Sequence, residues 1–134
     1  MTMDRRFHEA ARQSVTDMIS IIDDDAAVRD MLLSLIRSLG YDARAFASAE
    51  EFLASDNFAG FTCAITDIHM PGMSGFELKE QLDQRGGLLP VIMITARTEP
   101  ELEEKAMSSG AIGFLRKPFE VEMLVGYIEK ALAN

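Results

Sequence analysis

At 134 residues and 48% hydrophobic, the chain has the size of one domain built around one core and is too short for two domains of ordinary size. Its 13 Lys and Arg against 22 Asp and Glu leave a formal charge of −9, which argues against direct contact with a nucleic-acid backbone, where clustered cations are needed. A single cysteine rules out a disulfide framework or a Cys-pair metal site, and no apolar run approaches the roughly 20 residues of a membrane span or the ~7–15-residue core of a signal peptide, so the expectation is a cytoplasmic protein with no membrane association.

Residues 1–17 are polar, carry Arg5, Arg6 and Arg12, and offer little apolar surface beyond Phe7 and Val15, so a flexible N-terminal tail is expected before a single domain over 18–134. A short amphipathic helix through Phe7, Ala11 and Val15 would have too few contacts to hold it. The first strand is the apolar run Ile19 to Ile22, closed by Asp23 and Asp24. Asp25 suits the cap of the helix that follows, in which Val28, Met31, Leu32, Leu35, Ile36 and Leu39 recur with helical period until Gly40 ends it in a left-handed turn. Asp42 to Phe46 mixes charged and apolar residues, as an exposed edge strand does. Ser48 with Glu51 has capping-box spacing and opens a second helix.

Cys63 to Thr66 is a buried strand closed by Asp67, with Cys63 serving as a small hydrophobe. A helix is predicted from Gly75 to Gln84, with Phe76, Leu78 and Leu82 available for the core. Val91 to Ile94 is a further buried strand, closed by Thr95. Thr98 with Glu101 again has capping-box spacing, for a helix reaching Ser109 with a thin apolar stripe of Leu102, Ala106 and Met107. Ile112 to Arg116 forms the last strand, followed by Lys117. The last helix is predicted to bury Val121, Leu124, Val125, Ile128 and Leu132, and to present Met123 and Tyr127 on a second face suited to a partner or a homodimer contact.

Strands alternating with helices through short connections indicate an α/β domain with one doubly wound, five-stranded parallel sheet, and right-handed crossovers favour the order 2-1-3-4-5. That order gathers Asp23, Asp24, Asp67, Thr95 and Lys117 at one sheet edge, the carboxyl ends of the strands, where such folds bind ligands. Carboxylates about 4 Å apart repel by on the order of 4 kcal/mol per pair at an effective dielectric near 20, so the trio calls for a cation. With only oxygen ligands on offer, Mg²⁺ is the natural ion and Mn²⁺ a chemical substitute. Asp67, at the end of a central strand, is the best-placed nucleophile for phosphorus, with Lys117 and the Thr95 hydroxyl able to meet charge on the transferring oxygens.

The segments Ile21-Ile22-Asp23-Asp24-Asp25, Thr66-Asp67-Ile68-His69-Met70-Pro71-Gly72-Met73-Ser74-Gly75, Ile94-Thr95-Ala96 and Lys117-Pro118-Phe119 together resemble the receiver (CheY-like) domain of bacterial two-component response regulators, over Met18 to Ala133. The resemblance implies a flavodoxin-like (βα)5 fold and a phosphoprotein that takes a phosphoryl group onto Asp67 from a sensor histidine kinase or phosphotransfer protein. It implies Mg²⁺ held by Asp23, Asp24, Asp67 and the backbone carbonyl of His69, with Thr95 and Lys117 contacting the phosphoryl group. Thr95 and Phe114 would act as the switch, remodelling the face of the fourth helix, fifth strand and fifth helix for a downstream output partner. The Lys117-Pro118 bond is commonly cis in the family. The segment from Phe46 to Leu53 resembles the branch that often carries a DNA-binding output domain.

Ser74 and Phe114 depart from the family, where an acidic residue and a tyrosine are common at those positions. His69 and Arg97, two residues beyond Asp67 and Thr95, are expected to shape water access and so tune the lifetime of the phosphate. Such a domain promotes its own phosphorylation and dephosphorylation and transforms no outside metabolite. A haloacid-dehalogenase-like phosphatase would need an acidic residue where His69 stands. A nucleotide-binding module would need a phosphate-cradling loop where Asp23-Asp24-Asp25 repels phosphate, and a phosphorylation-independent scaffold would not need all five site residues.

Overall fold

Five short runs become five parallel strands in the computed structural model, which describes residues 17–55 and 60–133: β1 (Met18–Ile22), β2 (Asp42–Phe46), β3 (Cys63–Asp67), β4 (Val91–Thr95) and β5 (Gly113–Arg116). The expectations for the N-terminal tail and its possible helix lie, but for Asp17, outside the described residues. The sheet order is β2-β1-β3-β4-β5, as the crossover rule predicts. Five helices connect and cover it: α1 (Ala26–Ser38), α2 (Ala49–Ala54), α3 (Gly75–Gln84), α4 (Glu101–Ser108) and α5 (Val121–Leu132).

The period-2 alternation of each strand divides the core between the two sheet faces. Ile19, Ile21, Ile65, Ile92 and Ile94 pack with Leu32 and Ile36 of α1 and Leu124, Ile128 and Ala131 of α5. Ile22, Ala64, Met93 and Phe114 pack on the other face with Phe52 of α2, Leu78 and Leu82 of α3, and Leu102 and Ala106 of α4. Strands β1, β3 and β4 are therefore covered on both sides, which is why they read as almost unbroken apolar runs. On β2, Asp42 and Arg44 are exposed, in keeping with an edge. Cys63 is buried, and burial pushes its thiol up to about 12, as befits a packed small hydrophobe.

Helix starts match the sequence in two cases and differ in two. Asp25 caps α1 by accepting from the amides of Ala27 and Val28, and Ser48 caps α2 by accepting from Glu51 N–H. The predicted Thr98 cap is not formed: α4 begins at Glu101 after Pro100, with no side-chain cap. Proline disfavours the α region for the residue before it, so Glu99 cannot serve as the first helical residue that a Thr98 cap would require. A complete capping box instead opens α3, where Ser74 accepts from Glu77 N–H and Glu77 accepts from Ser74 N–H.

The last helix also differs in its facing. Val121 is 41% exposed and Val125 and Leu132 are half-buried, while Ala131 joins Leu124 and Ile128 inside. Tyr127 does not form a second exposed stripe with Met123. Its ring covers Gly113, where an added Cβ would lie 2.5 Å from Tyr127 Cγ, because the glycine leaves room on β5 for the ring. Met123 remains 50% exposed.

Candidate functional site

The first wall of the site is the end of β1. Asp23 continues the strand, its N–H donating to the Phe46 carbonyl at 3.1 Å, and its side chain is wholly buried. Its Oδ1 accepts the Asp25 N–H at 2.9 Å, and Arg29 donates to its backbone carbonyl at 2.8 Å from the first turns of α1. Asp24 is exposed beside it. Both side chains therefore stand at the rim that the strand order brings next to β3.

Asp67 ends β3 and is 8% exposed. Its Oδ1 accepts the His69 N–H at 3.2 Å, and its Oδ2 lies 3.6 Å from Lys117 Nζ, which is also 3.2 Å from Asp23 Oδ2. One ammonium thus bridges two carboxylates from different strands. The turn after β3 is closed by Gly75, whose N–H donates to the Ile68 carbonyl at 2.9 Å. A Cβ on Gly75 would sit 2.6 Å from the Asp67 carbonyl oxygen, so only glycine lets α3 start this close to the acidic residue. Glu50 of α2 holds the same turn from the far side, accepting from Met73 N–H at 3.0 Å.

Burial pushes the Asp67 carboxyl above the ordinary carboxylate range, Lys117 pulls it down, Asp23 pushes it up, the His69 N–H pulls it down and Asp24 pushes it up. Carboxylate oxygens of Asp23, Asp24 and Asp67 lie within 4.8 Å of one another. A set made only of carboxylate oxygens, with one member exposed, fits a hard divalent cation that keeps part of its water shell. The trio itself supplies neither a thiolate nor an imidazole to an ion that seeks one.

Thr95 ends β4 with no exposed surface. Its carbonyl accepts the Lys117 N–H at 2.8 Å, and the Lys117-Pro118 bond is cis. Its Oγ1 accepts the Arg97 N–H at 3.0 Å and lies 3.2 Å from Nδ1 of His69. His69 and Arg97, expected from the sequence to shape water access, both meet the Thr95 hydroxyl, a contact that their residue types alone do not predict. Their equal offsets from Asp67 and Thr95, on adjacent strands, were the available signal.

Phe114 is buried on β5, with the Arg116 guanidinium 5.0 Å from its ring centre. Arg116 also donates to the carbonyls of Arg97 and Glu99, at 3.3 and 2.7 Å, and so joins β5 to the segment leading into α4. Only Leu102 and Ala106 of α4 are fully buried, whereas Met107 is exposed. A shallow cavity of about 290 Å³ lies over this region, lined by Glu103, Phe114, Arg116, Phe119 and Met123 among others.

A family model described as the response regulator receiver domain matches residues 19–129. Among curated proteins, the response regulator protein TodT of Pseudomonas putida is 41% identical over 125 residues, covering 93% of this chain and 54% of that protein. The transcriptional regulatory protein FixJ of Bradyrhizobium diazoefficiens is 38% identical over 114 residues, covering 85% of this chain and 56% of its own. The chain therefore spans a little over half the length of these relatives. Among solved structures, the chemotaxis protein CheY4 of Vibrio cholerae aligns with a TM-score of 0.76 at 30% identity, over 87% of this chain and 98% of that one.

Proposed function

We propose, from the premise that this chain belongs to the response regulator receiver domain family, that Asp67 accepts a phosphoryl group from the phosphohistidine of a sensor kinase or phosphotransfer protein. The observation that carries this reading is the convergence of Asp23, Asp24, Asp67 and Lys117 from three strand ends onto one small volume. An Asp67 carboxylate oxygen attacks phosphorus, the bond from phosphorus to the donor imidazole nitrogen breaks, and the departing imidazole takes its electron pair and then a proton. The product is an aspartyl phosphate. Hydrolysis by attack of water on phosphorus returns inorganic phosphate and the free carboxylate, so the domain promotes both halves of its own cycle.

Asp23, Asp24, Asp67 and the backbone carbonyl of His69 would hold Mg²⁺, with Mn²⁺ as substitute. When bound, the ion supplies charge neutralisation for the transferring oxygens. Lys117 supplies a second positive charge, which its backbone bond to Thr95 keeps at the same edge. Thr95 donates its hydroxyl to a phosphoryl oxygen. Burial of Asp67 keeps competing water from most of its surface.

The readout is proposed to be the α4-β5-α5 face. Thr95, Arg116 and Phe114 connect the phosphorylation edge to that face by one strand register and a short chain of contacts, and α4 is held by few buried side chains. Without a tyrosine hydroxyl, Phe114 would couple through packing alone. An output domain or protein, or a second copy of the chain, would dock there. No helix among the described residues is long and apolar enough to cross a membrane, and a cytoplasmic location is proposed. The phosphatase reading finds no support at His69, which occupies the position where that chemistry requires a second acid.

The test is incubation with acetyl phosphate and Mg²⁺, followed by intact-mass measurement. A single added phosphoryl group, lost in alkali and absent with chelator, is expected. Steady turnover of phosphate esters without such an adduct would instead favour a phosphatase.

A further inference from the structure

The Thr95 hydroxyl already has work to do before any phosphoryl group arrives. Its oxygen accepts the Arg97 N–H at 3.0 Å, and it has one proton left to place. Thr95 is fully buried, and no buried side-chain polar atom among the described residues lacks a partner. Beyond Arg97 N–H, which is a donor, Oγ1 meets His69 Nδ1 at 3.2 Å. If the imidazole donated through Nδ1, the hydroxyl proton would be buried with no acceptor. The satisfied arrangement therefore has Thr95 O–H donating to a bare Nδ1, with the ring proton on Nε2 towards the half-exposed side of His69.

We infer that the His69 side chain is a positioning residue that holds the Thr95 hydroxyl in the unphosphorylated protein, so that Thr95 must leave the ring before it can donate to a phosphoryl oxygen on Asp67. The inference rests on the phosphoacceptor reading above. The backbone of Thr95 is held by β5, where it pairs with Arg116 and accepts the Lys117 N–H at 2.8 Å, so the exchange falls on its side chain. A hydroxyl has one proton and can serve the ring or the phosphoryl group, not both. His69 thus competes with the product state for the switch residue, and its ring sets how readily that state forms.

The experiment is a double-mutant cycle read by Mg²⁺-dependent binding of beryllofluoride, a phosphoryl mimic, to the wild type, His69→Leu, Thr95→Val and the double variant. Loss of one neutral hydrogen bond from the resting state predicts that His69→Leu binds about fivefold more tightly than the wild type. In the Thr95→Val background the same substitution should change affinity by less than about twofold, because the competition is gone. Equal effects in both backgrounds would mean that the ring acts only by bulk, and weaker binding by His69→Leu would mean that it assists the product state; either result overturns the inference.

NMR of the His69 ring nitrogens in the protein without beryllofluoride decides the same point independently. An unprotonated Nδ1 whose resonance moves in Thr95→Val is expected, and a protonated Nδ1 would overturn the proposal. If wild type shows no beryllofluoride response at all, the phosphoacceptor reading fails, while the NMR result still decides whether the ring holds Thr95.

Discussion

The Lys117 ammonium lies 3.6 Å from the Asp67 carboxylate and simultaneously 3.2 Å from that of Asp23. Two carboxylates from β1 and β3 are thereby held together by a cation delivered after β5. The lysine side chain is 21% exposed and Asp23 is wholly buried, so the contact is screened less than a surface pair.

Replacing this cation should cost stability as well as chemistry. Lys117→Met leaves Asp23 and Asp67 facing each other uncompensated, and a loss of about 1–3 kcal/mol is expected in urea unfolding with chelator present. The same variant should form the phosphoryl adduct at least about tenfold more slowly, since one charge-neutralising group is gone.

Asp67→Asn should raise the stability of the metal-free protein near neutral pH, by on the order of 1 kcal/mol. Burial, Asp23 and Asp24 raise the Asp67 carboxyl above its unfolded value, against the pull of Lys117 and the His69 amide. A raised carboxyl is neutral in both states below the unfolded pKa, and its ionisation penalises the folded state as pH rises through the folded pKa. The gain from Asp67→Asn should therefore be present at neutral pH and fade on acidification into the ordinary carboxylate range. Thermal unfolding across that range measures it.

Removing the ion should be felt through the same residues. Saturating Mg²⁺ at about 100 times its dissociation constant should stabilise the wild type by about 2.7 kcal/mol, if the unfolded chain does not bind it. The stabilisation should be lost in Asp23→Asn and reduced in Asp24→Asn, as read by melting with and without chelator.

Gly75→Ala tests the close approach of α3 to the end of β3. Its Cβ would lie 2.6 Å from the Asp67 carbonyl oxygen and 3.0 Å from Ile68 Cα, both backbone atoms that cannot swing aside. A destabilisation of about 1–3 kcal/mol in urea is expected, together with slower adduct formation because the turn that positions the Asp67 backbone must shift.

The sheet and its acidic edge were legible because strands covered on both faces admit little but apolar residues, so a carboxylate or hydroxyl at the end of Ile21-Ile22, Ile65-Thr66 or Met93-Ile94 is conspicuous. Features that depend on a neighbour from elsewhere in the chain were not legible. Tyr127 reads as exposed by helical period alone, and only the missing side chain of Gly113 on β5 explains its placement. The Thr98 cap failed for a local reason that was present in the sequence, the proline at position 100. Lys79 stands on the buried stripe of α3 with Gly75, Leu78 and Leu82, where its residue type gives no apolar signal, and its ammonium is accommodated 2.5 Å from Asp83 Oδ1 one turn on. The meeting of His69 with Thr95 required the β3-β4 register as well as the motif.

The atom that receives the phosphoryl group can be identified directly. Phosphorylation with phosphoramidate and Mg²⁺, followed by borohydride reduction and peptide mass mapping, converts an acyl phosphate into an alcohol that marks its position. Reduction is predicted at Asp67 and nowhere else, and none in Asp67→Asn; reduction at another carboxylate, or a borohydride-resistant phosphate on any side chain, would contradict it.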